Sequence, residues 1–242
     1  MQILMVLTSH DKLGDTGEKT GVWLEEFAAP YYVFKDQGQD VDFASPKGGE
    51  PPIDPRSEDP KVQSAATKRF REDAGTQFAF ANTAKLSDIS HRDYDALFYP
   101  GGHGPLWDLA EDKHSIALIE SMYAEGKVIG AVCHGPAAFK KAKTPGGSHI
   151  VKGRSVTGFS NAEEEELGLA KVVPFFVEDM LKANGGRYSK AANWLPHAVV
   201  NGSVVTGQNP ASSEGTAWLF LDKLIGDVLD EEQRARATGV AA

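Results

Sequence analysis

The sequence predicts an α/β fold on a mostly parallel sheet, formed as one domain over residues 1–242. Three observations carry this. Short apolar runs alternate with helical patterns; the opening run QILMVLTS (2–9) is apolar enough to be covered on both faces; and Gly- or Pro-rich turns follow several of the runs directly. Alternation of this kind implies right-handed crossovers, and sites in such sheets form beyond the carboxyl ends of the strands.

In chain order, the apolar run 2–9 is the first strand. Between Gly21 and Gln37, Trp23, Phe27, Tyr31 and Phe34 recur at helical spacing, and Pro30 inside that pattern should kink or end the helix. DVDFASP (40–46) reads as a second strand. Residues 47–94 break the alternation and read as an insertion or cap, whose Phe70, Phe78 and Phe80 call for burial. Strand 95–100 runs into GGHG, helix 113–125 presents Ile116, Ile119 and Tyr123, and strand 128–133 runs into HGPAAF. Strand 155–160 leads to an acidic run. Helix 172–183 starts near Pro174 and stops at Gly185–Gly186, and PHAVVNG reads as a hairpin or loop before strand 203–207. NPASS follows that strand, helix 214–229 should bury Trp218, Leu221, Ile225 and Val228, and the tail EEQRARATGVAA should fray.

A formal net charge of -9 without a basic stripe argues against nucleic acid and anionic membranes as partners. No segment approaches the ~18–20 apolar residues of a membrane span. The first residues lack the basic start and cleavage site of a signal peptide. One cysteine allows no internal disulfide and suits a reducing compartment, so the expectation is a cytoplasmic protein.

The sharpest chemical signal is VIGAVCHGPAAF. A strand that ends at Cys133 and turns through His134-Gly135-Pro136 into a helix is the pattern of a nucleophile elbow, and a helix N-terminus should favour thiolate. The competing reading is a buried structural thiol. GGHG (101–104) reaches the same sheet edge; Gly102, His103 and Gly104 are candidates for holding an oxyanion or substrate, with the amide of His134, and Asn209 of NPASS is another. His134, adjacent in sequence, need not touch the sulfur but can tune it. The remaining histidines show no metal-ligand spacing, so no metal is expected. Glu25 and Glu26 point about 100° apart, so at most one faces the site, and Glu163 to Glu166 read as a solvated helix start.

VCHGP, together with GGHG, TGVWLEE and TGQNPAS, resembles the ThiJ/PfpI (class I glutamine amidotransferase-like) superfamily over nearly the whole chain, and most of all its branch of stress chaperones with glutathione-independent glyoxalase III activity. The resemblance implies a flavodoxin-like three-layer sandwich, a homodimer, and no cofactor. It implies Cys133 as nucleophile, His134 beside it, a helix-borne Glu26, and an acid for the histidine at Glu164, with Glu163 and Glu165 as neighbours that could replace it. The implied substrate is a small 2-oxoaldehyde such as methylglyoxal, which becomes a 2-hydroxy acid. The same thiol would also serve an amidase or peptidase, a deglycase, or a redox-sensing holdase chaperone.

Overall fold

The computed structural model describes residues 1–226 and 228–238. β1 (Gln2–Val6), α1 (Leu24–Asp36), β2 (Asp40–Ser45), α2 (Ala65–Glu72), α3 (Ala74–Ala81), β3 (Ala84–Lys85), β4 (Ala96–Tyr99), α4 (Lys113–Ala124) and β5 (Val128–Val132) form the first part of the chain. β6 (Ser155–Val156), α5 (Asn161–Glu166), α6 (Val177–Ala183), β7 (Arg187–Tyr188), β8 (Ala198–Asn201), β9 (Val204–Gly207), α7 (Ser213–Ile225) and α8 (Glu231–Thr238) follow. The main sheet has seven strands in the order β3-β2-β1-β4-β5-β9-β8, parallel except for the β8–β9 hairpin.

The central strands β1, β4, β5 and β9 are largely apolar because both faces are covered. Along β1, Ile3 and Met5 pack with Phe27, Phe34 and Phe220 of α1 and α7, while Leu4 and Val6 pack with Leu118, Ile119 and Met122 of α4. Phe98 of β4 joins the first layer and Leu97 and Tyr99 the second, the alternation a pleated strand dictates. The register pairs Ala96 with Val128 and Val132 with Gly207, so the loops after β4, β5 and β9 leave the sheet side by side.

The stretch 47–94 is anchored on α1: Phe27 packs against Phe70 and Phe80 at ring-centroid distances of 5.5 and 4.9 Å. Burying two such rings contributes about 1.5–3 kcal/mol each. Phe78 does not share in this; it lies on the outer side of α3 and is 72% exposed. β3, from the end of this stretch, is an edge strand of the main sheet.

Other departures have local causes. α1 runs through Pro30 to Asp36, held by burial on the sheet. The strand expected at 155–160 shrinks to Ser155–Val156 in a separate two-stranded sheet with β7. Beyond it Thr157 N donates to Thr206 Oγ1 and Phe159 N to Cys133 O, so the chain crosses the site instead of extending a ladder. α6 begins at Val177, after turns that contain Pro174. α7 stops at Ile225 before Gly226 (φ 73°), leaving Ile225 exposed and Trp218 partly buried. The tail is not frayed over Glu231–Thr238: α8 packs on α7, and Ala237 lies so close to Gly215 that a Cβ there would meet its carbonyl at 2.7 Å. Residues 239–242 of the expected frayed tail lie outside the described residues.

Candidate active site

β5 delivers Cys133 into a strained turn. Its φ is +61°, a left-handed conformation that costs a non-glycine residue about 1–2 kcal/mol. The turn is held from both sides, as Cys133 N donates to Gly207 O at 2.9 Å and Cys133 O accepts from Phe159 N at 2.8 Å. Gly135 lets the chain pass under β4, since a Cβ there would stand 2.2 Å from Tyr99 O. The elbow read from the sequence is present, but the helix after it is one short 3-10 segment, Gly135–Phe139. Adjacency does not keep His134 from the sulfur either: His134 Nδ1 lies 3.3 Å from Cys133 Sγ.

Glu26 stands opposite, in the first turn of α1, fully buried, with neither carboxyl oxygen in a hydrogen bond of ordinary geometry. The GGHG loop is packed directly on it, for a Cβ on Gly101 would lie 2.4 Å from Oε2. Burial pushes the Glu26 carboxyl up to about 8, against the pull of the Cys133 thiol and the nearby amides of Gly101 and Gly102. Glu26 is therefore mostly protonated at pH 7. Burial, and then Glu26, Glu163 and Glu164, also push the Cys133 thiol well above its ordinary range. This corrects the expectation that a helix N-terminus makes Cys133 a thiolate: a single 3-10 turn is weak beside three acidic groups and exclusion of water. Glu25 turns away to hydrogen-bond Ser64.

The acidic run is only half solvated. Ser160 and Glu163 form a capping box at the start of α5; Glu163 and Glu164 are buried, and Glu165 and Glu166 are exposed. Glu164 Oε2 lies 2.7 Å from His134 Nε2 and its Oε1 2.8 Å from His103 Nε2. Burial alone would raise the Glu164 carboxyl, but His134 and His103 hold it far below the usual range. Glu163 has a different task. Its Oε1 accepts from Trp194 N, Gln208 Nε2 and Asn209 Nδ2 at 3.0, 3.1 and 2.8 Å, and its Oε2 from Ser160. Asn209 is thereby corrected as a substrate-binding candidate: its amide is spent on Glu163 and Leu195 O, and its oxygen accepts from Ser212 Oγ.

These groups open on a cavity of about 140 Å³, lined among others by Trp23, Glu26, Gly102, Cys133, Phe159 and Trp194. Gly102 (φ 89°) lies where a Cβ would strike Gly21 O at 2.2 Å. Gly104 packs on Thr8 and opens a 3-10 turn. His103 lines the cavity too, but its ring nitrogens are engaged by Glu164 and Arg56. His103, His134 and Glu164 bring three potential donor atoms within 4.8 Å, a convergence that sequence spacing does not reveal. Each is already hydrogen-bonded to another, so a cation would have to break both His–Glu contacts. Trp107, shortly after the GGHG loop, stacks on His10 at a ring-centroid distance of 5.0 Å. Sequence reasoning missed Arg56, Phe159 and Trp194. Only Trp194 carries a local oddity, a left-handed φ of 64° fixed by Glu163 on its amide and Glu166 on its indole.

A family model described as DJ-1/PfpI matches residues 19–223. Glyoxalase 3 of Candida albicans is 31% identical over 90% of this chain and 95% of its own length. A glutathione-independent glyoxalase of Saccharomyces cerevisiae is 32% identical over 92% of this chain and 98% of its own. The crystal structure of the Candida glyoxalase III superposes with a TM-score of 0.88 at 30% identity, covering 94% of this chain and 98% of that one. The Rapid Encystment Protein of Francisella tularensis also superposes with a TM-score of 0.88, at 38% identity, over 93% and 99%. The elbow, the buried acid on α1 and the sheet order thus come with sequence similarity over nearly the full length, and the chain belongs to the DJ-1/PfpI family.

Proposed function

We propose that the protein is a glutathione-independent glyoxalase that turns small 2-oxoaldehydes such as methylglyoxal into 2-hydroxy acids on Cys133. The observation that carries this is Glu26: a fully buried carboxyl with neither oxygen in a hydrogen bond of ordinary geometry, protonated near neutral pH, beside the thiol. The full-length similarity to proteins named as glyoxalases supports it.

The steps balance on these groups. Cys133 gives its proton to His134 Nδ1 as the sulfur attacks the aldehyde carbon, and Glu164 on Nε2 steadies the imidazolium. The new alkoxide takes the Glu26 proton, which leaves a hemithioacetal and a Glu26 carboxylate. That carboxylate removes the C1 hydrogen as a proton while the electron pair forms the C1–C2 double bond and the C2 carbonyl oxygen takes the proton held on His134, which gives an enediol. Glu26 then delivers its proton to C2 and takes up the C1 hydroxyl proton as the C1–O bond becomes a carbonyl. C1 is oxidised and C2 reduced, so no outside oxidant is needed. The resulting thioester is hydrolysed by water, which releases the 2-hydroxy acid and the thiol.

The test is lactate formation from methylglyoxal without glutathione. Cys133→Ser should abolish it and Glu26→Gln should lower it at least about 100-fold; substantial turnover by either variant overturns the reading. An amidase would need the thiol, His134 and an oxyanion site only, so Glu26→Gln would spare it. The same steps would serve reversal of early glycation. We further propose a homodimer acting in the reducing cytoplasm, where a lone thiol stays reduced; light scattering at twice the chain mass would support the dimer.

A further inference from the structure

The 47–94 stretch reaches Glu164 through an unbroken chain of side chains. Asp54 N donates to Val22 O at 2.9 Å, which ties the Pro55–Glu58 turn to the segment ahead of α1. Asp54 is wholly buried. It accepts from Thr20 Oγ1 at 2.9 Å and grips Arg56 with both oxygens, at 3.0 Å from Nε and 2.6 Å from Nη2. Nη2 also lies 3.1 Å from His103 Nδ1. A guanidinium can only donate, so Nδ1 accepts and the ring hydrogen of His103 sits on Nε2, 2.8 Å from Glu164 Oε1.

We propose that Arg56, clamped by Asp54, is a positioning residue for the Cys133 site: it fixes His103 as the neutral Nε2–H form, so that Glu164 keeps its charge for His134. This rests on the reading of Cys133 as nucleophile. His103 and His134 compete for one carboxylate, with ring centroids 4.1 Å apart, and two imidazolium ions at that distance would repel. Arg56 occupies the one nitrogen on which His103 could take a second proton, so the proton released by Cys133 goes to His134. Burial and then His134 also depress His103, down to about 4. The charged groups around His103 are Arg56 and Asp54 from the inserted stretch, His134 from the elbow and Glu164 from α5. Those around the sulfur are Glu26, Glu163, Glu164 and His134.

The experiment follows alkylation of Cys133 by iodoacetamide between pH 5.5 and 9 in the wild type, Arg56→Met, and Arg56→Met with His103→Gln. Glutamine keeps a donor for Glu164 but cannot titrate. We expect Arg56→Met to react about three-fold or more slowly at pH 6.5 and to converge on the wild type above pH 8.5, and the double variant to regain the wild-type profile. Equal rates at every pH, or a loss that is uniform in pH and not restored by His103→Gln, would overturn the proposal. Imidazole nitrogen NMR gives a second reading that needs neither alkylation nor turnover: wild-type His103 should be the Nε2–H tautomer from pH 5.5 to 8. An Nδ1–H or protonated ring would refute it. Absence of glyoxalase turnover in the wild type would sink the proposed reaction and leave both measurements standing.

Discussion

Glu26 should make the wild-type protein less stable as pH rises, and Glu26→Gln should remove that penalty. Burial raises the folded-state carboxyl to about 8, whereas an unfolded glutamate titrates near 4.5. Between those values the unfolded chain has released the Glu26 proton and the folded chain still holds it. Folding therefore takes up a proton, and stability falls with increasing pH across the window. Each pH unit is about 1.4 kcal/mol, so from pH 5 to pH 8 the full effect is about 4 kcal/mol. Relaxation around the charge and sharing of the proton with Cys133 reduce this to about 2–4 kcal/mol. Glutamine matches the neutral carboxyl in shape and does not titrate. The variant should then gain about 2–4 kcal/mol on the wild type between pH 5 and pH 8, an increment in Tm of about 5–10 °C for a chain of this size. Urea unfolding at half-unit pH steps measures it, with Glu25→Gln as control. A wild-type/variant difference that is constant with pH, or that grows in the wild type's favour toward pH 8, would refute the claim that Glu26 is a buried neutral acid.

Glu164→Gln should behave in the opposite sense. Its carboxyl is held below the usual range, so it contributes stability above about pH 4.5 that is lost as pH falls below that value. The variant should lose about 2–4 kcal/mol at pH 7 and less at pH 4 in the same unfolding assay, along with most turnover. Glu163→Gln leaves at least one of its donors unpaired and should cost about 1–3 kcal/mol. Removing that charge beside the sulfur should move the alkaline rise of Cys133 alkylation to lower pH. Gly135→Ala forces a methyl to 2.2 Å from Tyr99 O and should cost about 2 kcal/mol or more, seen as a lower urea midpoint; unchanged stability would mean that the elbow does not pass so close to β4.

The parts of the fold that were legible are those where local pattern and burial agree. β1, β4 and β5 are almost continuous apolar runs because helices cover both faces, and Cys133 sits at the end of such a run before residues small enough for a tight turn. The 155–160 strand misleads because its hydrogen bonds go to Thr206 and Cys133, partners far away in sequence. Phe78 and Ile225 look like core residues on composition, yet Phe78 lies on the outer side of the short α3 and Ile225 is the exposed last residue of α7. In the site, VCHGP announces the nucleophile and family resemblance supplies Glu26. No spacing rule links Arg56 to His103, or separates Glu164 from Glu163, since one residue of helix rotation decides which carboxylate meets the histidine and which ties down Trp194. Asn209 fails for a similar reason: a polar residue at the sheet edge can serve the loops as readily as a ligand.

The anchoring of Cys133 N on Gly207 O has a consequence for synthesis of the chain. β5 pairs with β4, translated before it, on one side and with β9, translated long after it, on the other. The strained turn at Cys133 cannot be fixed until β9 has left the ribosome, and Glu163 lacks its partners Gln208 and Asn209 until the same moment. Between the synthesis of β5 and that of β9, Cys133 is an ordinary thiol on an unfinished edge. The site is completed late and at once, when the last parallel strand docks on β5 and its Gly207 carbonyl takes the Cys133 amide.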